Sequence, residues 1–316
     1  MSTVTMNSPF PSRFLAWMNE RFPFSHALLF FSLYATALLV GRVGAYEGSI
    51  PLGWQDIAAF LPVWGFFFML RVFDEHKDYA EDCVNYPDRV LQRGLITLTH
   101  LKIAGGLAIA AQLGGSLLLD GGLGPITFWW LAVFGYALLM AKEFFVREWL
   151  SQRLVLYAFS HMLIMPLAIL WMAQMGAGGE SLPVEAGFLA ALAFFSGASF
   201  EVTRKLRAPE EERDEVDSYT KSLGLTGAPV TIVLLLTGSM TMLFFLLQWI
   251  FAELPSIPWI ASLGALLALP AIALFKFRNT PSPKSRKLTE GMVSLAMLGG
   301  YVVTIVAVLV HRGVTL

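Results

Sequence analysis

Nine long apolar stretches dominate this chain of 316 residues and constrain its fold more than any other feature. A helix needs about 20 largely apolar residues to cross a bilayer, and these stretches are too long for barrel strands. Helices also satisfy their own backbone polar groups in lipid. We therefore predict an all-α integral membrane protein, a bundle of nine transmembrane helices, at residues 25–43, 54–73, 98–119, 125–141, 154–173, 183–200, 228–250, 259–275 and 291–310.

The composition agrees with a membrane protein and excludes several other classes. Hydrophobic residues make up 56% of the chain and charged residues 14%, which leaves too little polar surface for a soluble enzyme. A net charge of −1 argues against a nucleic-acid-binding protein, whose affinity depends on excess Lys and Arg. The one cysteine, Cys83, can form no internal disulfide. Because Arg13, Glu20 and Arg21 precede the first apolar stretch, we expect a retained span rather than a cleaved signal.

The positions of the basic residues predict the orientation of the chain. Of the 22 Lys and Arg, all but Arg42 and Arg312 fall in the N-terminal segment or around the connections after spans two, four, six and eight. Since Lys and Arg collect in cytoplasmic loops, we expect a cytoplasmic N-terminus, an outside C-terminus and an active site that faces the cytoplasm. We also expect the membrane to be a bacterial inner membrane. We divide the chain into a cytoplasmic segment, 1–24, and a single membrane domain, 25–316, with charged loops at 71–95 and 201–223.

The first charged loop carries three aspartates at four-residue intervals. If the second span continues as a helix, Asp74, Asp78 and Asp82 stack on one face at the cytoplasmic edge of the membrane. Like charges at this spacing repel, so a bound cation would stabilise them, and their oxygen atoms suit Mg²⁺ that also binds substrate phosphates. The alternative is a solvated helix end neutralised by the basic side chains around it, Arg71, Lys77 and Arg89.

The second charged loop combines acids with basic residues. Glu201 is followed closely by three basic residues, Arg204, Lys205 and Arg207. Pro209 breaks or restarts the helix, so the glutamates at 210–212 fall in a first turn, where the helix dipole favours acids. The dipole alone explains those glutamates. The arginines favour a phosphorylated ligand, because their planar side chains match phosphate oxygens.

These two loops resemble the aspartate-rich motifs of the UbiA superfamily of intramembrane prenyltransferases. The first is similar to N-D-x-x-D-x-x-x-D followed by R-P-L-x-x-G, and the matching residues are Asp74, Glu75, Asp78, Asp82, Arg89, Val90, Leu91 and Gly94. The second is similar to Y-D-x-x-x-x-x-x-D-x-x-x-D with a K-S-x-x-x-x-L-G end, from Phe200 and Glu201 to Leu223 and Gly224. The prediction of nine spans with a cytoplasmic N-terminus also matches the superfamily, so the resemblance covers nearly the whole chain.

The loops depart from those motifs at seven positions. Asp74 stands where Asn is usual, Val90 where Pro is usual, and Glu201 where Asp is common, while Ala208 occupies the place of the next acid. Basic residues also stand at three places where most members are neutral, namely Arg204, Lys205 and Arg207. These departures imply a site that binds fewer metal ions and contacts the substrate more directly through basic side chains, or one that takes a different phosphorylated donor or acceptor. The superfamily's phosphoribosyl-transferring members provide a precedent for the second case.

The resemblance implies a transferase that moves an isoprenyl group from a prenyl diphosphate to an aromatic or lipid acceptor within the membrane. Its implied cofactor is Mg²⁺, or Mn²⁺ in its place. The implied metal ligands are Asp74, Asp78, Asp82, Glu201 and Glu211. The implied diphosphate contacts are Lys77, Arg89, Arg204 and Arg207. We expect the segments 74–82 and 201–212 to face each other across one cavity.

Two further residues are candidate catalytic groups beside Asp78. Lys142 ends the fourth span on the cytoplasmic side and would complete the site, unless it only extends its amine to the membrane surface. His161 lies in the fifth span, where an ionisable group is costly. It would take a proton from the acceptor, or only donate a hydrogen bond to a neighbouring helix.

Three other functions fit part of the sequence. A transferase of phosphoribosyl or another phosphorylated donor onto a polyprenyl lipid would use the same loops. A membrane transporter would need charges near the bilayer midplane, whereas these acids collect at one face. An inactive member that keeps the fold would account for the altered second motif.

Overall fold

A computed structural model of the protein describes residues 4–213 and 217–315. In these ranges the chain forms α-helices, two short 3₁₀ turns and one pair of two-residue strands. The chain divides into two units: Met1–Tyr34 with Gly53–Phe145, and Ala35–Leu52 with Val146–Leu316. The predicted all-α fold is confirmed, and each unit is described separately below.

The first unit contains six helices and the first part of a seventh. They are α1 Phe10–Arg21, the beginning of α2 His26–Ala45, α3 Trp54–Ala58, α4 Phe60–Lys77, α5 Tyr79–Asn85, α6 Leu98–Asp120 and α7 Pro125–Ala141. Val63, Phe66 and Met69 recur every three residues along α4 and are fully buried, so they form the stripe on which this unit packs. α7 begins where the Asp120 carboxylate accepts the backbone N–H of Thr127 at 2.7 Å.

The second unit contains the rest of α2 and seven further helices. They are α8 Arg147–Ser151, α9 Leu154–Met162, α10 Ile164–Ala177, α11 Ala186–Arg204, α12 Tyr219–Phe251, α13 Ile257–Asn279 and α14 Pro283–Arg312. α11 and α12 share the most extensive packing in this unit. Buried hydroxyl groups are paired within it: the Tyr301 hydroxyl lies 3.2 Å from that of Ser196. α12 begins at Ser218, whose hydroxyl accepts the Lys221 N–H at 3.0 Å.

The two exceptions to the charge pattern have structural partners in the second unit. Strand β1 Ile50–Pro51 pairs in parallel with β2 Val314–Thr315. Arg42 donates to the carbonyl of Pro51, and Arg312 donates to the carbonyl of Gly48 at 2.9 Å. These guanidinium groups satisfy carbonyls of the connection after α2, which explains why two arginines lie away from the other basic residues.

The helices agree closely with the predicted spans, but the count of nine is not confirmed. Eight helical segments are long and apolar enough to cross a membrane. The remaining predicted span, the fourth at 125–141, corresponds to α7, which has 17 residues and is shorter than the others. Residues 1–24, expected as a cytoplasmic segment, contain α1, which packs within the first unit. A single domain over residues 25–316 stays a prediction.

Candidate active site

The first acid-rich segment lies at the end of α4 and in α5. α4 ends at Lys77, and Asp78 has backbone angles φ −98° and ψ 5° before α5 begins. Helical hydrogen bonds nevertheless continue across this junction. The Asp78 N–H donates to the Asp74 carbonyl at 2.9 Å, and the Asp82 N–H donates to the Asp78 carbonyl at 2.8 Å. The three aspartates therefore keep the predicted four-residue spacing, although the helix is interrupted at Asp78.

Two of the three aspartates are paired with basic side chains of the first unit. The Asp82 carboxylate lies 2.8 Å from Arg89 and 3.5 Å from Arg21. The Asp74 carboxylate lies 3.7 Å from the Lys77 amine. Neutralisation by the protein's own basic residues, the alternative interpretation of this loop, therefore applies to Asp74 and Asp82.

Asp78 differs from the other two aspartates. Within the described ranges its carboxylate has no ion pair. Burial raises the pKa of the Asp78 carboxyl, while the neighbouring charge of Lys77 lowers it. The charges of three nearby acids, Asp74, Glu81 and Asp82, raise this pKa further. A bound cation would relieve this crowding of negative charge, so Asp78 is the strongest candidate for a carboxylate that acts on a ligand.

Glu75 is the buried centre of the charge network, a role that the sequence analysis did not assign. Only 1% of the residue is exposed. Its carboxylate oxygen Oε1 accepts from Arg21 at 2.5 Å and from Arg71 at 2.7 Å. The Arg71–Glu75 spacing of four residues is visible in the sequence, but no local pattern indicates the contact with Arg21. Glu75 therefore joins the N-terminal helix α1 to the end of α4.

A cavity of about 500 Å³ brings Lys77 and Lys142 together in the first unit. Its lining is mostly apolar, with His76 as a third titratable side chain, and consists of Phe73, His76, Lys77, Leu138, Leu139, Ala141, Lys142 and Phe145. The Lys77 amine also lies 3.5 Å from the carboxylate of Glu143, a buried residue just past α7. Cationic groups beside apolar walls suit a ligand with a phosphate head and a hydrocarbon tail.

The turn after α7 holds Glu143 toward Lys77 at a conformational cost. Glu143, Phe144 and Phe145 have φ values of 48°, 53° and 62°, in the left-handed region that non-glycine residues rarely adopt. Each such residue costs about 1–2 kcal/mol. Strain of this kind concentrates at functional sites, so this turn marks the end of α7 as part of the candidate site.

Arg89, a predicted diphosphate contact, is engaged within its own loop. Besides its pair with Asp82, its guanidinium stacks 3.6 Å from the ring centre of Tyr86. The loop closes at Gly94, whose φ of 73° suits glycine, and the Leu95 N–H donates to the Val90 carbonyl at 3.1 Å. In this structure Arg89 orders the loop.

In the second unit, Glu201 forms ion pairs with two of the basic residues that follow it, Arg204 and Lys205. Its carboxylate accepts from Arg204 at 2.9 Å and lies 3.0 Å from the Lys205 amine. The Lys205 amine also lies 5.5 Å from the ring centre of Tyr157. The Tyr157 ring in turn stacks on His161 at 3.9 Å. The structure therefore connects two predicted site residues, Glu201 and His161, through Lys205 and Tyr157.

His161 has a local hydrogen-bond partner as well. Its Nδ1 atom lies 2.8 Å from the Tyr157 carbonyl oxygen, four residues earlier in the same helix. A hydrogen bond to a neighbouring helix was one predicted role for this residue, but this Nδ1 contact lies within α9. A role in proton transfer stays a prediction.

Arg207 and Glu211 have structural partners in the second unit. The Arg207 guanidinium donates to the carbonyls of Arg204 and Leu206, at 3.0 Å and 2.7 Å, where α11 ends. Glu211 lies in the turn Pro209–Glu211 and accepts from Arg286 of α14 at 2.8 Å. Burial raises the pKa of the Glu211 carboxyl, but hydrogen bonds from Arg286 and the Ala208 N–H outweigh burial and lower it overall.

We expect Glu211→Gln to destabilise the protein at neutral pH by about 1–2 kcal/mol, because it removes one partner of a partly buried charged hydrogen bond. A carboxyl whose pKa is lowered by folding stabilises the fold above its unfolded pKa, and this stabilisation is lost as the pH falls through the folded pKa. The difference in apparent melting temperature from the wild type should therefore shrink in acid. Exposed Glu210→Gln is the matched control. An equal difference at every pH would contradict this account.

The fit of these residues to Mg²⁺ differs between the two acid-rich segments. Over residues 4–213 and 217–315, His, Cys, Asp and Glu side chains do not gather in threes as a metal-ligand group. Mg²⁺ is usually held by one or two carboxylates, with waters and substrate phosphates completing its shell. Asp78 fits this mode as it stands, and Asp74 fits it if a metal ion replaces its pairs with Lys77 at 3.7 Å and Arg71 at 4.0 Å. Basic side chains lie closer, at 2.8–3.0 Å, to Asp82, Glu201 and Glu211. The full set of five ligands stays a prediction.

The described helices and the charged segments at their ends define a class of protein: a multi-pass integral membrane protein of the all-α type. Its predicted site residues form two groups. One, with Asp74, Asp78, Asp82, Lys77, Arg89 and Lys142, belongs to the first unit, and the other, with His161, Glu201, Arg204, Arg207 and Glu211, belongs to the second. That the two groups face one cavity stays a prediction.

Comparison with solved structures identifies the fold. No family model and no curated relative matches the chain. A structure of digeranylgeranylglyceryl phosphate synthase in membranes is 14% identical over 94% of this chain and 99% of that chain, with a TM-score of 0.66. The apo structure of a UbiA homologue from Aeropyrum pernix K1 is 13% identical over 89% of this chain and 98% of that chain, with a TM-score of 0.61. The protein therefore has a UbiA-like fold, as its sequence predicted.

Proposed function

We propose that this protein is a membrane transferase that moves an isoprenyl group from a prenyl diphosphate to a hydrophobic acceptor. The cavity that Lys77 and Lys142 line carries the proposal, because it joins phosphate-binding groups to apolar walls next to Asp78 in the chain. The UbiA-like fold supports it, since a digeranylgeranylglyceryl phosphate synthase has a similar structure. We propose that the cavity opens toward the cytoplasmic side of a bacterial inner membrane.

The proposed reaction separates charge, and the residues of the first unit suit this. The bond between the allylic carbon and the diphosphate oxygen breaks, and its electron pair leaves with the diphosphate. Lys77 and Lys142 stabilise the growing negative charge more in the transition state than in the bound substrate. The acceptor then forms a bond to the allylic carbon and loses a proton to a base. When bound at Asp74 and Asp78, Mg²⁺ or Mn²⁺ would supply further positive charge to the diphosphate.

Turnover by the purified protein tests this function. Protein in lipid nanodiscs is incubated with Mg²⁺, extracted membrane lipids, and radiolabelled geranyl, farnesyl or geranylgeranyl diphosphate. We expect diphosphate release together with a labelled lipid product, and loss of both when the metal is chelated. Release from a labelled phosphoribosyl donor alone would replace the proposed donor. Ion flux into liposomes without turnover of any donor would identify a transporter and overturn the proposal.

We expect Lys142→Met to raise the KM for prenyl diphosphate about tenfold, because the change removes one charge-assisted contact to the diphosphate. The Met side chain keeps most of the apolar stem. Lys102→Met is the matched control, since Lys102 is exposed on α6 and does not line the cavity. Initial rates of diphosphate release at varied donor concentration give the KM. An unchanged KM in Lys142→Met would remove this lysine from the site.

A further inference from the structure

The N-terminal helix α1 contacts the first charged loop at three separate points. The Arg21 side chain contacts Glu75 at 2.5 Å and Asp82 at 3.5 Å. The Glu20 carboxylate accepts the Val90 N–H at 3.1 Å. In addition, the Arg13 guanidinium donates to the Leu95 carbonyl at 3.0 Å. The loop is therefore bound along most of its length to a helix that lies more than 50 residues away in sequence.

Apolar contacts fix the position of α1 against α4. Trp17 is fully buried, and its ring meets the edge of Phe68 at 5.9 Å between centres. Phe22, just past the helix, packs on Trp64 at 4.7 Å. Since large aromatic side chains contribute much burial and few rotamers, these contacts hold α1 in one position. Its charged residues are therefore presented to the loop at fixed points.

The contacts of Arg21 span the junction between α4 and α5. Glu75 lies three residues before Asp78, near the end of α4, and Asp82 lies four residues after it, in α5. One guanidinium group that contacts both carboxylates therefore links the two helices across their interruption. Its planar array of donors suits this double contact, which a single ammonium group cannot reproduce.

We propose that Arg21 is a positioning residue that sets the location of the Asp78 carboxylate by joining Glu75 to Asp82. This inference rests on the proposed function for its effect on catalysis. It also gives Asp82 a different role from the predicted one, because a carboxylate that anchors Arg21 and Arg89 holds the loop in place. Arg21 itself contacts the two flanking acids, and acts on substrate only through the position of Asp78.

Cys83 provides a direct probe of loop order. It is the only cysteine of the chain, it is exposed, and it follows Asp82 in α5. A nitroxide label attached there reports the mobility of α5 by electron paramagnetic resonance. Arg21→Met should increase label mobility and lower the kcat of diphosphate release about a hundredfold, because a displacement of about 1 Å has an effect of this size. The KM should change less, since Lys77 and Lys142 remain.

Arg93→Met is the matched control, because Arg93 is an exposed arginine of the same loop; its label mobility and kcat should equal those of the wild type. If Arg21→Met does not fold, Arg21→Lys provides the test, since it keeps the charge but loses the double contact to Glu75 and Asp82. Arg21→Lys should give label mobility and kcat between those of the wild type and those expected for Arg21→Met, at an unchanged melting temperature. Wild-type mobility in Arg21→Lys, or in a folded Arg21→Met, would overturn the proposal.

The two measurements separate this inference from the proposed function. Label mobility can be measured without turnover. If the wild-type protein has no transferase activity, the proposed function is refuted, but the label mobility of the variants still tests whether Arg21 holds Glu75 and Asp82 together. Increased mobility with an unchanged kcat in an active enzyme would instead show that Arg21 orders the loop without positioning Asp78, and would overturn the positioning role alone.

Discussion

Asp78→Asn is expected to lower the rate of diphosphate release by about a hundredfold to a thousandfold, the range for removal of one polar group that stabilises a transition state. Asn keeps the size and polarity of the side chain but removes its charge. Among the three aspartates of the segment, Asp78 is the one without an ion pair to a described residue, so its charge is available for a ligand or a metal ion. Single-turnover rates with radiolabelled prenyl diphosphate measure this loss.

Asp88→Asn provides the control for the same chemical change. Asp88 lies in the same charged loop, is exposed, and is not part of the proposed site. Its rate should equal that of the wild type. A fully active Asp78→Asn, measured beside this control, would exclude Asp78 from the reaction and would leave the first charged loop with a structural role only.

Gly41→Ala is expected to prevent formation of stable protein, with a destabilisation of about 3 kcal/mol or more, at the upper end for overpacked sites. A β-carbon at position 41 would lie 2.0 Å from the carbonyl oxygen of Ala173 in α10. The contact is reciprocal, because a β-carbon at Gly176 would lie 2.0 Å from the carbonyl oxygen of Leu38 in α2. Small residues allow two membrane helices to approach this closely, and backbone atoms have little freedom to move away.

Gly264→Ala tests the same substitution in an open position. Gly264 is exposed on α13, and nothing lies within 4 Å of an added β-carbon. This variant should match or exceed the wild type in stability, because Ala favours helix by up to about 1 kcal/mol relative to Gly. Size-exclusion chromatography and apparent melting temperature compare the variants. Normal yield and stability of Gly41→Ala would contradict the close approach of α2 and α10.

The sequence predicted the helices well, because length and apolar composition are local properties. Each predicted span lies on one helix or, for 54–73 and 154–173, on two consecutive helices. The count of nine spans is not confirmed, because α7 has only 17 residues. Helical hydrogen bonds link Asp74, Asp78 and Asp82 in turn, but the stacking of their side chains on one helix face stays a prediction. In contrast, no local pattern indicates that the helix is interrupted at Asp78, between the end of α4 and the start of α5.

The partners of the charged side chains could not be predicted from the sequence. Pairs four residues apart, such as Arg71 with Glu75 and Glu201 with Lys205, follow from helix periodicity. The pair of Arg21 with Glu75 joins residues 54 positions apart and depends on the packing of α1. The left-handed turn at Glu143–Phe145 also lacks a sequence signal, because it contains no glycine.

The length of α7 has a consequence for the surrounding lipid. Seventeen residues at about 1.5 Å each give a helix of about 26 Å, whereas a typical hydrocarbon core is about 30 Å thick. As the predicted fourth span, α7 would require the bilayer beside it to become thinner, or the flexible stem of Lys142 to bridge the remaining depth to the headgroups. Membranes of short-chain lipids would then match this helix best, and hydrophobic mismatch in thicker bilayers would act directly on the end of α7 that precedes Lys142.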